Sequence, residues 1–279
     1  MIAHLGTGLM GAGFVRAALR RGETVHIWNR THDKAHALEA DGAKAFHTAA
    51  AAVRGAERVH ITLSDDGAVD EVLASIESAL GAGTVVLDHT TTAPTPTGER
   101  YNRASTKNYF FAHVPMFMGP KNALDCTGFM LASGPADRIA RVRSIVAPMT
   151  GKLIELGEGD TRAAAFKLFG NMMLVFIVSG LADVYKFARS LGITPSDAQS
   201  LFNDFKPTGA IDVRGKNMAE GNFAAAWEMT MARKDVRLML EEGALHGVQY
   251  DVLPAIAALF DKGIAAGRGS EDVGAVAAV

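Results

Sequence analysis

Apolar and polar positions divide the chain into two regimes. As far as about residue 155, short apolar runs alternate with stretches of helical spacing. The runs Ile2–Leu5, Thr24–Trp28, Arg58–Leu63, Thr84–Leu87 and Phe129–Ala132 predict strands, and the sheet is expected to end near Gly151–Gly159. Between them, Gly11–Arg20, Asp33–Glu39 and Ala68–Leu80 carry the helical period. Strands alternating with helices predict parallel βαβ units, doubly wound. After Gly159 the helical spacing runs on to about Leu191; Gly192 then acts as a stop, and Thr194-Pro195 starts another helix. Amphipathic segments follow near Trp227–His246 and Val252–Ala266, and no strand alternation remains. The expected fold class is α/β: a doubly wound parallel sheet over residues 1–159, then an all-helical C-terminal domain over 160–279 that opens with a long helix. The tail, Gly267–Val279, reads as loosely ordered.

Composition narrows the function classes. The chain has 279 residues, a net charge of -2 and 48% hydrophobic residues, enough for one large core or two modest ones. Near-neutral charge gives no footprint for nucleic acid or an acidic membrane. Cys126 is the only cysteine, which rules out an internal disulfide and a thiolate metal cluster. The nine histidines show no ligand spacing, so no metal is expected. The start lacks the pattern of a signal peptide. The most apolar stretch, Phe166–Ala188, is interrupted by Lys167, Asn171 and Asp183 and reads as a buried helix rather than a membrane span. A soluble cytoplasmic protein is the expectation.

The chemistry begins at the first strand-to-helix turn. Gly6-Thr7-Gly8-Leu9-Met10-Gly11 fits G-x-G-x-x-G, directly after a strand and opening a helix. Gly6 permits a tight turn, Gly8 lets backbone approach a pyrophosphate, and Gly11 lets helix and strand pack closely, with Leu9 and Met10 on the same loop. This predicts a Rossmann dinucleotide site. In NAD sites an acid near the end of the second strand accepts from the ribose 2′-hydroxyl; here that place holds Asn29-Arg30-Thr31. A guanidinium can clamp a 2′-phosphate with charge-assisted bonds, and the Thr31 hydroxyl can add one, so the expected cofactor is NADP. The turn at Leu63-Ser64 ends another strand and is expected to face the cofactor.

Four segments together resemble the β-hydroxyacid dehydrogenase family. That family is 3-hydroxyisobutyrate dehydrogenase-like, lies within the 6-phosphogluconate dehydrogenase superfamily and is related to imine reductases. The opening matches its G-x-G-x-M-G. "DHTTTAP" is similar to its D-x-S-T-x-x-P loop, with Thr90 and Thr91 in the Ser-Thr places. "FKLFGN" resembles its catalytic K-x-x-x-N helix, with Lys167 and Asn171. "ARKDVRL" resembles its late K-D-L helix, with Lys234. The resemblance implies hydride transfer between NADP(H) and a small hydroxyacid, semialdehyde, 2-oxo acid or other carbonyl compound. It further implies Lys167 as general acid/base, Asn171 as its orienting partner, Thr91 near nicotinamide and substrate, Lys234 on the cofactor, and a homodimer through the helical domain.

One landmark departs. The family's P-V-S-G-G substrate loop is here Pro115-Met116-Phe117-Met118-Gly119. Phe117, Met118 and Gly119 are still expected at the substrate, but an aromatic ring replaces a hydroxyl. That predicts poor carboxylate binding, unless Lys234 or Asn122 anchors the acid instead. The residues around Lys167, namely Phe166, Leu168 and Phe169, are expected to desolvate it and lower its pKa. Two alternatives stay open: an imine reductase on the same fold, and a non-catalytic NADP-binding regulatory protein.

Overall fold

A computed structural model describes residues 1–279. The chain forms two compact units, Met1–Asn171 and Met172–Val279. In the first unit lie strands β1 (Ile2–Leu5), β2 (Val25–Trp28), β3 (Lys44–Ala45), β4 (Arg58–Ile61), β5 (Val85–Asp88), β6 (Phe110–His113), β7 (Met116–Phe117), β8 (Phe129–Ala132) and β9 (Lys152–Glu155). Helices α1 (Leu9–Arg20), α2 (His32–His36), α3 (Ala49–Val53), α4 (Asp66–Ile76), α5 (Pro94–Ala104), α6 (Pro120–Asp125) and α7 (Ala136–Val146) connect them. Helix α8 (Arg162–Ser190) runs from the first unit into the second, which adds α9 (Pro195–Asp204), α10 (Lys216–Ala219), α11 (Met229–Leu245) and α12 (Leu253–Gly263).

The main sheet has six strands in the order β3-β2-β1-β4-β5-β6, every neighbouring pair parallel. This is the doubly wound Rossmann arrangement that strand–helix alternation predicts, followed by helices. Strand β1 is buried along its whole length, as a strand covered on both faces must be. Its side chains alternate. Ala3 and Leu5 join the cluster with α3 and α4, whereas Ile2 packs with Val15 of α1.

Three expectations are corrected. The Phe129–Ala132 strand forms, but in a separate three-stranded sheet, antiparallel to β7 and parallel to β9. Strands β6 and β7 share one apolar run, Phe110–Phe117, broken at Pro115, so neither stands out by periodicity. The tail is ordered: Val273–Ala278 forms a 3₁₀ helix with Val273, Gly274 and Ala275 buried. Asp272 anchors it, because its carboxylate accepts from Arg214 and from the backbone N–H groups of Ala226, Trp227 and Gly274. Finally, the apolar middle of α8 is not buried within the chain. Met172 to Phe176 and Val178 are all exposed, and by length and composition alone this helix could cross a membrane. The expected 159/160 boundary falls just before α8, and the compact units part within it.

Beneath α1 the sheet carries a ladder of histidines. His4 on β1 stands beside His60 on β4, their rings stacked 6.0 Å apart, and His60 stacks on His89 at 5.3 Å. His89 Nδ1 donates to the Val114 carbonyl at 2.8 Å, so its Nε2 accepts from His60 Nδ1–H at 3.0 Å. That bond needs a neutral His89. Burial holds all of these rings below the ordinary histidine range, His4 at about 3, and it also lowers His113, on β6, to about 4. Asp88 is shifted the opposite way, to about 6, again by burial.

A histidine neutral when folded and titrating near 6.5 when unfolded stabilises fully above that pH and loses its contribution as pH falls. For each ring the limiting slope is about 1.4 kcal/mol per pH unit, and it applies only between the unfolded value near 6.5 and the lower folded value. Asp88 opposes this only between its unfolded value and about 6. Melting temperature should therefore fall steeply from pH 6.5 to 5, and His60→Gln should flatten that slope whatever its effect at pH 8. A melting temperature level across this range would refute the account.

Candidate functional site

The loop after β1 is shaped by backbone crowding. Gly6 has φ +95°, and a Cβ there would collide with the Thr62 carbonyl and lie 2.9 Å from Leu63 Cδ2. A Cβ on Gly11 would run into the Gly6 carbonyl and stand 3.2 Å from His4 Nε2. At Gly8 the opposite holds, since a Cβ there would meet nothing within 4 Å. Gly8 thus borders open space at the start of α1, which has no side-chain N-cap. Asn29 secures the loop: its Oδ1 accepts from Thr7 N–H at 3.0 Å, and its Nδ2 donates to the Thr31 carbonyl at 2.9 Å.

A cavity of about 450 Å³ opens here. It gathers Gly6, Gly8, Leu9, Met10, Gly11, Asn29, Arg30, Thr31, Leu63 and Ser64 on one wall system. Trp28, Lys34, Thr62, Ala68, Glu71 and Val72 also line it. Sequence reasoning missed these six. Lys34 had a usable signal, as a second cation in the first turn after Arg30-Thr31. The residues fit a dinucleotide on two structural observations. The cradle above Gly8 is one that a Cβ would fill, and the buried Thr7 Oγ1 has no hydrogen-bond partner.

Thr91 stands outside this lining and is exposed, just beyond β5. Its neighbour Thr90 is the buried one, and the Thr90 hydroxyl accepts from Leu63 N–H at 3.0 Å. This bond ties the ends of β4 and β5 together. Lys234 belongs to the second unit, on α11, where its Nζ pairs with Asp235 at 3.0 Å.

A second cluster forms around Lys167. The side chain is 8% exposed, and Nζ donates to Asn171 Oδ1 at 3.0 Å, one helical turn later. The ring of Phe117, on β7, lies under the ammonium, 4.1 Å from Nζ to its centroid. Burial lowers the lysine pKa. The cause differs from the expected one: Phe166 and Phe169 are exposed, and the ring that covers the ammonium comes from the distant Phe117. Met118 packs partly buried against the core beside Gly128, and Gly119 N–H donates to Asn122 Oδ1 at 2.9 Å. The Asn122 amide in turn donates to Thr127 Oγ1 at 2.9 Å, so Asn122 is engaged at both ends. Chemically, this cluster offers a desolvated proton donor fixed in direction by an amide oxygen.

The chain is similar to known dinucleotide-dependent oxidoreductases. The family described as the NAD binding domain of 6-phosphogluconate dehydrogenase matches residues 1–157. The 2-(hydroxymethyl)glutarate dehydrogenase of Eubacterium barkeri is 26% identical, across 99% of this chain and 93% of that protein. An imine reductase from Myxococcus stipitatus, solved with NADP+, superposes with a TM-score of 0.92 at 18% identity, covering 99% of this chain and 98% of its own, a likeness of fold. The 3-hydroxyisobutyrate dehydrogenase of Mycobacterium tuberculosis, solved with L-serine, is 26% identical with a TM-score of 0.65, over 99% of this chain and 97% of its own.

Proposed function

Because the chain belongs to the family defined by the NAD-binding domain of 6-phosphogluconate dehydrogenase, and is thus an NAD(P)-dependent oxidoreductase, we propose that it uses NADP(H) to interconvert a small carbonyl compound and its alcohol. The observation that carries the reading is the buried Lys167, held by Asn171 and largely stripped of water. When bound, the reduced nicotinamide supplies the hydride. Lys167 Nζ supplies the proton to the carbonyl oxygen as charge develops there, and removes it in the reverse direction. A lowered lysine pKa brings donor and operating pH closer together. Asn171 keeps the ammonium aimed. Arg30, Thr31 and Lys34 favour the 2′-phosphate, and the lining of the cavity holds no acid at the end of β2. Reduction of imines is the second reading, favoured by Phe117 in place of a loop hydroxyl. We assign cofactor binding to residues 1–159 and pairing of subunits to 160–279, in the cytoplasm.

The partner in that pairing is a second copy of this chain. Val175, Phe176 and Val178 are 58%, 61% and 65% exposed, and α8 is apolar on nearly every side there. A helix apolar all round is stable only when covered. Homodimer interfaces are the apolar class.

Arg30→Ala should lower kcat/KM for NADPH about tenfold or more, with little change for NADH. Equal use of both cofactors by the wild type would remove the 2′-phosphate assignment. Lys167→Ala should lower kcat about a hundredfold while NADPH fluorescence titration stays unchanged; turnover within a few-fold of wild type ends its role as proton donor. Light scattering after size exclusion should give a dimer, and Phe176→Glu a monomer. A wild-type monomer at micromolar concentration, or co-sedimentation with lipid vesicles, would overturn the pairing.

A further inference from the structure

Two departures along the chain turn out to be one feature. Phe117 stands in the substrate loop where a small hydroxyl residue is expected, and Gly170 stands within α8, where glycine is costly to a helix. The structure brings them into contact. A Cβ on Gly170 would lie 2.6 Å from Phe117 Cε1 and closer still to Cζ. Only a bare backbone lets the ring lie against the helix there, and from that seat it covers Lys167 Nζ.

We infer that the Phe117–Gly170 pair is the specificity element of this site. It closes the space beside Lys167 to a substrate carboxylate and selects neutral carbonyl compounds with an apolar substituent. This rests on the reading of Lys167 as proton donor.

The donor count supports it. An ammonium has three N–H groups. One goes to Asn171 Oδ1, and the ring face of Phe117 occupies a second direction. One remains, enough for the oxygen of the reacting carbonyl but not for that oxygen and a carboxylate together. The loop's side chains offer little else to an acid. Gly119 N–H is taken by Asn122, one Asn122 amide N–H by Thr127, and the Met118 side chain carries no donor. An acid would also pair with the lysine directly, keeping it charged and turned away from the reacting oxygen. A neutral substrate leaves the remaining proton free. In reduction a bound NADPH would supply the hydride to the carbonyl carbon, leaving NADP+, while Lys167 Nζ gives its remaining proton to the carbonyl oxygen and regains one from water.

The test uses the full-length protein and NADPH oxidation with a panel of aldehydes and ketones, each as free acid and methyl ester. Wild type should favour the esters tenfold or more in kcat/KM. Phe117→Ser should remove that preference, chiefly through a lower KM for the acids, with NADPH affinity kept. Water readmitted to Nζ should also move the alkaline limb of the pH–rate profile upward. If Phe117→Ser does not fold, Phe117→Leu serves: it keeps the apolar volume without the ring face, so ester preference should persist while the alkaline limb moves down. Wild-type preference for the acids, no turnover of any ester, or a preference and pH limb unmoved by both variants would overturn the inference. Lys167→Ala separates the two levels. If it remains active, the proton-donor reading has failed; if it is inactive while acids are preferred, only the specificity inference has.

Discussion

No side chain fits between Gly11 and the carbonyl of Gly6, and the placement of the nucleotide cradle follows from that contact. The crossing sets how close the first turn of α1 comes to the end of β1. Gly6 is in turn pressed against the Thr62 carbonyl at the exit of β4, so three backbone segments meet at one point. Asn29 then staples the loop to the end of β2, which carries Arg30 and Thr31 to the same cavity. The charge at one end of the cradle and the open backbone at the other are thus held by local contacts within the first unit. A side chain added at Gly6 or Gly11 would disturb the fold before it disturbed binding, whereas one at Gly8 would meet only what binds there.

Much of this is legible in the chain because it depends on local rules. A glycine turn between a strand and a helix has its own spacing, and a fully buried parallel strand shows up as an unbroken apolar run. Short elements are not legible. Strand β3 has two residues, and β6 and β7 share a run that carries no period. The tail reads as loose from sequence because its order comes from a single carboxylate, Asp272, reaching Arg214 and backbone far away in sequence. The exposed flank of α8 escapes for a related reason: apolar periodicity reports that a face needs cover, not whether the fold supplies it.

The lysine site shows the same limit more sharply. Lys167 and Asn171 are identifiable as a pair one turn apart, yet the neighbours in sequence that promise to bury the lysine point elsewhere. Its desolvation comes from Phe117, fifty residues earlier by the count from 117 to 167, and from the absence of a side chain at Gly170. In sequence the glycine looks like an incidental flaw in a helix. Its cost, about 1 kcal/mol relative to alanine, is what admits the ring. A cation over an aromatic face is held by about 2 kcal/mol when desolvated, enough to offset that cost.

Burial acts at two places in the first unit with opposite consequences for pH. Under α1 it keeps the histidine ladder neutral, so acid attacks the fold. At Lys167 it weakens the hold on a proton, so the ammonium gives its proton up more readily as pH rises. Both effects have one cause, the cost of keeping a charge out of water. They nonetheless reside in different structures: the ladder belongs to the sheet interior, the lysine to the contact between β7 and α8. Acid sensitivity is therefore a property of the fold, whereas on the proposed role of Lys167 an alkaline limit of turnover belongs to the site. Substitutions in the ladder should leave the second unmoved, just as substitutions at Phe117 should leave the first. A single buried network governing both limits would require the histidines and the lysine to share partners. Lys167 bonds to Asn171, whereas His60 and His89 bond to each other and to the Val114 carbonyl, so no partner is common to the two.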